Sequence, residues 1–484
     1  ITLDMHKTKW LIWGLMLPIL GFGQSYKDAP ASLRLDTNYS YFQFFTNEAA
    51  TNFFNAFYKE ERTPTTIFHY GASHVQAEVM ATEARIALQK EFGDAGRGLV
   101  FNYGAANTYT SINYNSTKQG AWTFAKSFMR NPKLPLGVMG MTVQSNEVGA
   151  SLIWDFKKPI ANGLHRIRIF ADNNDETPDF DVIIDNQTFS FNAEDRARHK
   201  HLPYFEIDYE GEVQSLRINL VSPGISATKF TFYGVDFQNY RDVGLVYHSL
   251  GVGAAPMESV IRLDAMPEQA KVLKPDVVFL DFGTNNILYT NTLDTNIKAT
   301  VAKAIAMFRS INPEVVIVLT TTQDLYYKGR VITASVAFRD LMQDLARTHN
   351  CVFWNWFDQS GGLNSIRQWA TDSYAQKDGI HLTWKGYRLK GQFIHKSVMN
   401  TLKYIEQNPN ADSLILTSKT YEFSEPPIPE PQKTKSASKK YHTVKSGESL
   451  WSISKKYGSS VEKIQKMNGL RSTLIKPGQK LRVR

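Results

Sequence analysis

The sequence predicts an α/β fold with a mostly parallel sheet, interrupted by an all-β sandwich and followed by a small βααβ module. Three observations carry that reading. Apolar strand-like runs alternate with helically spaced segments over 65–92 and again from residue 243, which implies parallel strands with helices on both faces. Between them, 100–239 breaks into short alternating segments separated by turn residues, the pattern of a sandwich. Beyond a Pro- and Lys-rich stretch at 425–440, residues 441–484 form a compact unit of their own. The length of 484 residues accommodates all three, being about three times a typical domain of ~150 residues.

With 42% hydrophobic and 12% aromatic residues the chain can bury real cores, which excludes a mostly disordered protein. Its formal charge of +9 invites an acidic partner, but that charge is unevenly placed. Residues 431–484 carry 14 Lys and Arg against 2 Asp and Glu, leaving 41 against 44 in the first 430. The basicity belongs to the tail, and the body is slightly acidic. A single cysteine, Cys351, excludes a disulfide framework, a cysteine-cluster zinc site and an iron–sulfur cluster within one chain. It flanks the apolar run Val352-Phe353-Trp354 and reads as a buried structural thiol.

Taken in order, residues 5–24 read as a secretory signal, with Lys7 and Lys9, an apolar run over 10–20, then the small residues Gly21 and Gly23. The run is shorter than the ~20 residues of a membrane-spanning helix, and the small residues suit cleavage after Gly23. Such cleavage leaves an exported protein without a transmembrane segment, periplasmic, associated with the cell envelope or secreted. The run at 65–70 is a strand ending in Gly71-Ala72-Ser73-His74, and 77–92 places Ala77, Met80, Ala84, Ala87 and Leu88 on one helical face. Within 100–239, Ser151-Leu152-Ile153-Trp154 and Leu216-Arg217-Ile218-Asn219-Leu220 are typical strands. Trp122, Trp154 and Tyr204 could stack on sugar rings there, although aromatics at strand spacing are more often core. Strands at 244–247, 277–280, 315–319 and 352–356 then alternate with helices near 257–273, 294–310 and 337–348. The expected organisation is a signal peptide at 5–23, an α/β domain at 24–100 and 240–410, a β insertion at 101–239, a linker at 411–440 and a terminal module at 441–484.

In open α/β sheets ligands sit outside the carboxyl ends of the strands. Four polar motifs are placed for that role: Ser73 after the first strand, Ser249-Leu250-Gly251-Val252-Gly253-Ala254, Gly283-Thr284-Asn285-Asn286 and Asp378-Gly379-Ile380-His381. A serine hydroxyl needs a base to take its proton, and a histidine oriented by a carboxylate supplies one. Asp378 and His381 can come from one loop and reach Ser73 from one side. A developing oxyanion then needs donors, for which the Asn285 amide and the main-chain N–H groups around Gly253 and Ala254 are candidates. His199-Lys200-His201 lies in a polar stretch without a third ligand nearby and reads as solvated. No metal or cofactor is expected.

Together and in this order the four motifs closely resemble those of the SGNH (GDSL-type) hydrolase superfamily, over roughly 65–92 and 244–404. The resemblance implies a flavodoxin-like three-layer domain, with Ser73 as nucleophile, His381 as base, Asp378 as its orienting carboxylate and Asn285 as an oxyanion donor. Three positions depart from the pattern. Ala72 stands where members usually carry Asp, Asn286 stands where the third block often ends in Asp, and the second-block glycine aligns with either Gly253 or Ala254. Ser73 followed by His74, and the β insertion before the second block, look like the peptidoglycan O-acetylesterase branch and its exopolysaccharide-acetylating relatives. Three functions stay open: an esterase that removes O-acetyl groups from cell-wall glycan, an acetyltransferase or esterase acting on another polysaccharide, and a non-catalytic wall-binding protein with a decayed site.

At the carboxy end, 441–458 reads as strand, turn and capped helix, with Ser446 and Ser449 as caps and Leu450, Ile453 and Tyr457 at helical spacing. A second helix opens at 461–464 and ends near Asn468-Gly469, and 475–483 turns into a last strand. The stretch resembles a LysM domain. That implies binding of N-acetylglucosamine-containing glycan, mainly peptidoglycan, in a groove between Gly447, Glu448, Ser449 and Leu450 on one side and Leu474, Ile475, Lys476, Pro477 and Gly478 on the other. Nucleic acid is not an expected partner, because export removes the opportunity and no aromatic-interleaved basic surface is evident.

Overall fold

The computed structural model describes residues 26–59, 63–222, 229–422, 441–445, 448–470 and 472–483. The expected signal peptide and the linker residues 423–440 lie outside them. The first elements are α1 (Asn47–Phe57), β1 (Thr65–Gly71), the one-turn α2 (Ser73–Gln76) and α3 (Val79–Phe92). An antiparallel block follows, made of β2 (Gly98–Val100), β3 (Tyr114–Gln119), β4 (Thr123–Lys126), β5 (Met141–Ser145), β6 (Ser151–Ala171), β7 (Asp179–Ile184), β8 (Gln187–Phe191), α4 (Ala193–His199), β9 (Tyr204–Ser222) and β10 (Phe230–Asn239). The parallel pattern then resumes with β11 (Leu245–Gly251), α5 (Met266–Leu273), β12 (Val277–Asp281), α6 (Thr284–Ile287), α7 (Ile297–Ile311) and β13 (Val316–Thr320). The small hairpin β14 (Tyr326–Tyr327) and β15 (Arg330–Val331) leads to α8 (Ala334–Thr348), β16 (Val352–Trp354), α9 (Trp356–Gln359), α10 (Ile366–Thr371) and α11 (Trp384–Gln407).

Five parallel strands in the order β11-β1-β12-β13-β16 organise this unit. Every residue in them is buried, as happens when helices cover both faces of a parallel sheet. Alternate side chains divide between the faces: Ile67 and Phe279 pack with α1, α3 and α11, whereas Phe68 and Leu280 pack with α5, α7 and α8. The result is three layers. Both sheet edges are covered, since Gln43 bridges Phe353 on β16 and Asp94 bridges Leu245 on β11, which hides backbone groups that an open edge exposes.

The strands β2 to β10 form a nine-stranded sheet whose core is continuous with the α5, α7 and α8 face. The long β6 and β9 slip register at Asp155/Ile160 and Ile160/Gly163, and such bulges bend a strand. Trp122 and Trp154 are 7% and 0% exposed, so the insert's tryptophans fill its core and offer no sugar platform. Tyr204 is half-buried against Phe170.

Several expected boundaries are corrected. The helix expected over 77–92 is α3 and begins at Val79, because Glu78 adopts a left-handed φ of 63° that separates it from α2. Ala77 therefore ends α2, Ala87 is half-buried, and the buried face is Val79, Met80, Ala81, Ala84, Leu88 and Gln89. The expected helix at 257–273 splits into a 3-10 segment, Met257–Arg262, and α5, since Pro267 has no N–H to continue an incoming helix. The last strand stops at Trp354, where Asn355 accepts the Asp358 N–H and starts α9. Residues 411–421, expected in the linker, pack on the first unit: Leu414 exchanges main-chain hydrogen bonds with Phe44, and the Tyr421 hydroxyl donates to Asp358. Cys351 is buried, and burial pushes its thiol up to about 12.

The second unit contains β17 (Tyr441–Thr443), α12 (Leu450–Lys456), α13 (Val461–Asn468) and β18 (Lys480–Arg482), with the two strands antiparallel. Ser449 and Ser452 cap α12 reciprocally, and Gly469 closes α13 at φ 62°. Val444, Leu450, Ile453, Ile464, Leu481 and Val483 make its core. Among the described residues no helix is long and apolar enough to cross a membrane.

Candidate active site

Ser73 stands on a turn that only glycine neighbours permit. A Cβ at Gly71 would lie 2.4 Å from the Val75 side chain and 2.8 Å from the Asp281 carbonyl oxygen, and one at Gly251 would lie 2.1 Å from the Gln76 nitrogen. These two glycines let α2 sit directly on the ends of β11 and β12. From there Ser73 Oγ lies 3.0 Å from His381 Nε2, although 308 positions separate the two residues. His381 Nδ1 lies 2.7 Å from Asp378 Oδ2, and Asp378 Oδ1 accepts the main-chain N–H groups of Ile380 and His381, each at 2.9 Å. With the ring proton on Nδ1 facing Asp378, Nε2 is free to accept the serine proton. Burial raises the Asp378 carboxyl, but the hydrogen bonds from the His381 ring and the two N–H groups outweigh it and hold the group below its ordinary value.

The loop bearing His381 is braced from behind. Gln323 Nε2 donates to the Ile380 carbonyl at 2.7 Å and lies 3.2 Å from His74 Nε2. An amide nitrogen can only donate, so His74 Nε2 accepts and its Nδ1–H faces the Tyr387 hydroxyl at 2.8 Å. Burial lowers the His74 pKa to about 3, helped by the charges of Lys390 and His381, and the ring stays neutral. Below this layer Asp281 accepts from Lys390 Nζ at 2.7 Å and Thr320 at 3.0 Å and faces His69 Nε2 at 3.3 Å. Burial raises the Asp281 carboxyl, yet Lys390 and His69 together bring it well below the usual range. Asp281 pairs with Gly71 in register, so this buried cluster anchors the strand end that carries the serine turn. Removing one partner of such a cluster leaves an uncompensated charge, at a cost of ~3–5 kcal/mol.

The candidate oxyanion donors, Asn285 and the Gly253-Ala254 loop, lie next to each other. Asn285 Nδ2 donates to the Ala255 carbonyl at 3.1 Å, which places it beside the Gly253-Ala254 loop. The Gly253 N–H donates to Gln76 Oε1, whose amide group in turn donates to the Thr108 hydroxyl and the Tyr109 carbonyl. Gly253 is thus engaged in the free protein. Ala254 is exposed at φ 65°, a left-handed conformation that costs an alanine ~1–2 kcal/mol. Asn286, at the second departure from the family pattern, accepts the Met257 N–H at 3.0 Å and donates to the Glu258 carboxylate at 3.1 and 3.3 Å. An aspartate there would set two carboxylates together. Ala72 is 3% exposed and starts α2 without a side-chain cap. Gln76, Gln323 and Glu258 belong to no motif, and nothing in their local spacing marks them.

In the second unit the expected groove is only partly open. Leu450 is 1% exposed in the core and is not available to a glycan, because its helical position faces Ile453 and Ile464. The Glu448 carboxylate is taken by His442 at 2.6 Å and by the Lys445 N–H, and Ser449 is taken by its cap. Across from them Leu474 is 85% exposed, Lys476, Pro477 and Gly478 are exposed, and Ile475 is half-buried on the core. Gly447 and the His199 side chain lie outside the described residues. Trp451, which the groove reading omitted, is 65% exposed.

Two family models match the chain: GDSL-like lipase/acylhydrolase over residues 231–389 and LysM domain over 442–484. The first match contains Asn285, Asp378 and His381 but stops short of Ser73, which only the fold brings to them. A solved peptidoglycan O-acetylesterase structure aligns with a TM-score of 0.61 at 19% identity, covering 75% of this chain and 99% of that one. At that identity the likeness is one of fold. An N-acetylmuramoyl-L-alanine amidase of Staphylococcus epidermidis is 64% identical over 42 residues, 9% of this chain and 13% of the amidase. An autolysin of Enterococcus faecalis is 56% identical over 50 residues, 10% of this chain and 7% of the autolysin. The chain therefore spans only a small part of the length of these curated relatives.

Proposed function

We propose that this chain, which carries a GDSL-like lipase/acylhydrolase domain and a LysM domain, is an exported serine esterase that removes O-acetyl groups from cell-wall glycan. The observation that carries the proposal is the hydrogen-bonded sequence Ser73–His381–Asp378 at 3.0 and 2.7 Å. In this reading His381 takes the Ser73 proton as Oγ attacks the acetyl carbonyl. The oxyanion that forms is met by the Asn285 amide and by the main-chain N–H of Ala254, donors worth ~10²–10³ each in rate, while the Gly253 N–H stays with Gln76. His381 then returns the proton to the departing sugar oxygen, leaving an acetyl group on Ser73. Water, deprotonated by His381, releases acetate and restores the serine.

The LysM unit supplies the second part of the reading: it holds the enzyme on peptidoglycan and raises the local concentration of ester without altering the reacting groups. Export rests on the signal-like residues 5–24. The experiment is acetate release from O-acetylated peptidoglycan by the wild type and by Ser73→Ala. Release that depends on Ser73 supports the proposal, and equal release by both proteins removes Ser73 as nucleophile. Acetylated xylan and exopolysaccharide, run in parallel, identify an esterase for another polymer. Transfer to an added sugar acceptor in place of water identifies an acetyltransferase. Absence of Ser73 labelling by a fluorophosphonate identifies a wall-binding protein without catalysis.

A further inference from the structure

The segment between β2 and β3 returns to the serine turn. Thr108 and Tyr109 accept the Gln76 amide through the Thr108 hydroxyl and the Tyr109 carbonyl, at 3.0 and 2.9 Å. The other end of that amide holds the Gly253 N–H. The Tyr109 hydroxyl donates to the Ser73 carbonyl at 3.4 Å, and a Cβ built at Gly253 would meet the same phenol at 3.3 and 3.4 Å. Lys126 on β4 fixes the approach to this segment by donating to the Asn107 carbonyl at 3.2 Å. Tyr109 is thus held at its main chain and at its hydroxyl, between the serine turn and Gly253. It is nevertheless 46% exposed.

An aromatic ring fixed at one end and about half exposed binds a flat, partly apolar ligand with little loss of side-chain freedom. The groups around it make that ligand an ester-bearing sugar, because Ser73 is adjacent and the C–H face of a pyranose ring suits an aromatic surface. We propose that Tyr109, delivered by the antiparallel block, is a sugar-contacting residue of the Ser73 site, on which the pyranose carrying the acyl group stacks, and that Gln76 is the positioning residue that holds it there. This inference rests on the reading of Ser73 as the nucleophile of a sugar O-acyl esterase. It gives the insertion a direct part in choosing the substrate. The module's buried tryptophans, Trp122 and Trp154, have no such access.

The test compares acetylated glycan with p-nitrophenyl acetate, an ester that has no sugar ring, for the wild type, Tyr109→Ala, Tyr109→Phe and Gln76→Ala. For Tyr109→Ala the expected result is a KM raised ~10-fold or more on glycan, with kcat/KM on p-nitrophenyl acetate within ~2-fold of wild type. Tyr109→Phe keeps the ring and stays within ~3-fold of wild type on both substrates. Gln76→Ala raises KM on glycan in the same direction as Tyr109→Ala. Parallel losses on the two esters in Tyr109→Ala would mean that the residue only shapes the serine turn, and the proposal falls. It falls equally if glycan kinetics are unchanged. If wild type releases acetate from acetylated xylan but not from peptidoglycan, the cell-wall reading fails while the Tyr109 comparison is made on xylan. If no acetylated sugar is hydrolysed, the Tyr109 proposal fails with it.

Discussion

Asp378 grips His381 twice, by its ring at 2.7 Å through one carboxylate oxygen and by its main-chain N–H at 2.9 Å through the other. One residue therefore sets both the tautomer and the place of the imidazole. Asp378→Asn separates these roles. An asparagine oxygen can still accept the Ile380 and His381 N–H groups, but its NH₂ then faces Nδ1 and drives the ring proton to Nε2, against Ser73. The expected outcome is a folded protein with kcat on p-nitrophenyl acetate reduced ~10³–10⁴-fold. Thermal melting distinguishes this from collapse of the loop, which Asp378→Ala also brings.

Ala254 gives a second prediction. At φ 65° it carries a side chain where glycine is unstrained, and relief of ~1–2 kcal/mol exceeds the ~0.4–1 kcal/mol that a glycine costs through the unfolded chain. Ala254→Gly should be more stable by about 0.5–1 kcal/mol, read by urea titration. A destabilised variant would show that the alanine methyl makes a contact that outweighs the backbone strain.

Asn286 and Glu258 form the third. Because the Asn286 amide donates to the Glu258 carboxylate, Asn286→Asp replaces attraction by repulsion and should cost ~1–3 kcal/mol. Changing Glu258 to Gln in the same protein should recover most of the loss, and the double-mutant cycle measures the coupling directly. Independent, additive losses would contradict the pairing. Asn286 is then the residue that the Glu258 carboxylate accepts from at this position.

The parallel strands and the motifs that follow them were legible because apolar runs and short polar clusters are local signals. Their braces were not. Gln76 meets Gly253 across 177 positions and Gln323 meets His74 across 249, and a lone glutamine announces neither partner. The helix α11, 24 residues long, escaped for a related reason. Gly386 and Gly391 weaken its pattern as helix-opposing residues, yet each is there for close packing: a Cβ would lie 2.0 Å from the Tyr374 carbonyl oxygen in one case and 2.5 Å from that of Met80 in the other. The Leu450 correction has the same origin, since the sequence places it both at a loop end and on a helix, and only the packed core decides which surface it faces.

The last prediction concerns pH. His74 is buried and neutral, with its pKa lowered to about 3 by burial and by the Lys390 and His381 charges, whereas the unfolded chain has an ordinary histidine near ~6.5. Between these values the unfolded state binds a proton that the folded state refuses, so stability is fully present above ~6.5 and declines as pH falls through that window. The contribution lost on going from pH 8 to pH 5 is about 2 kcal/mol. Other buried groups, including Asp236 with its carboxyl raised by burial to about 7, titrate alike in wild type and in a His74→Gln variant and cancel in the difference. The stability advantage of wild type over His74→Gln should therefore shrink by about 2 kcal/mol between pH 8 and pH 5, as measured by urea titration at both pH values. A difference that does not change with pH would show that His74 titrates normally in the folded protein, and that the neutral brace behind His381 is not held as the Gln323 and Tyr387 contacts require.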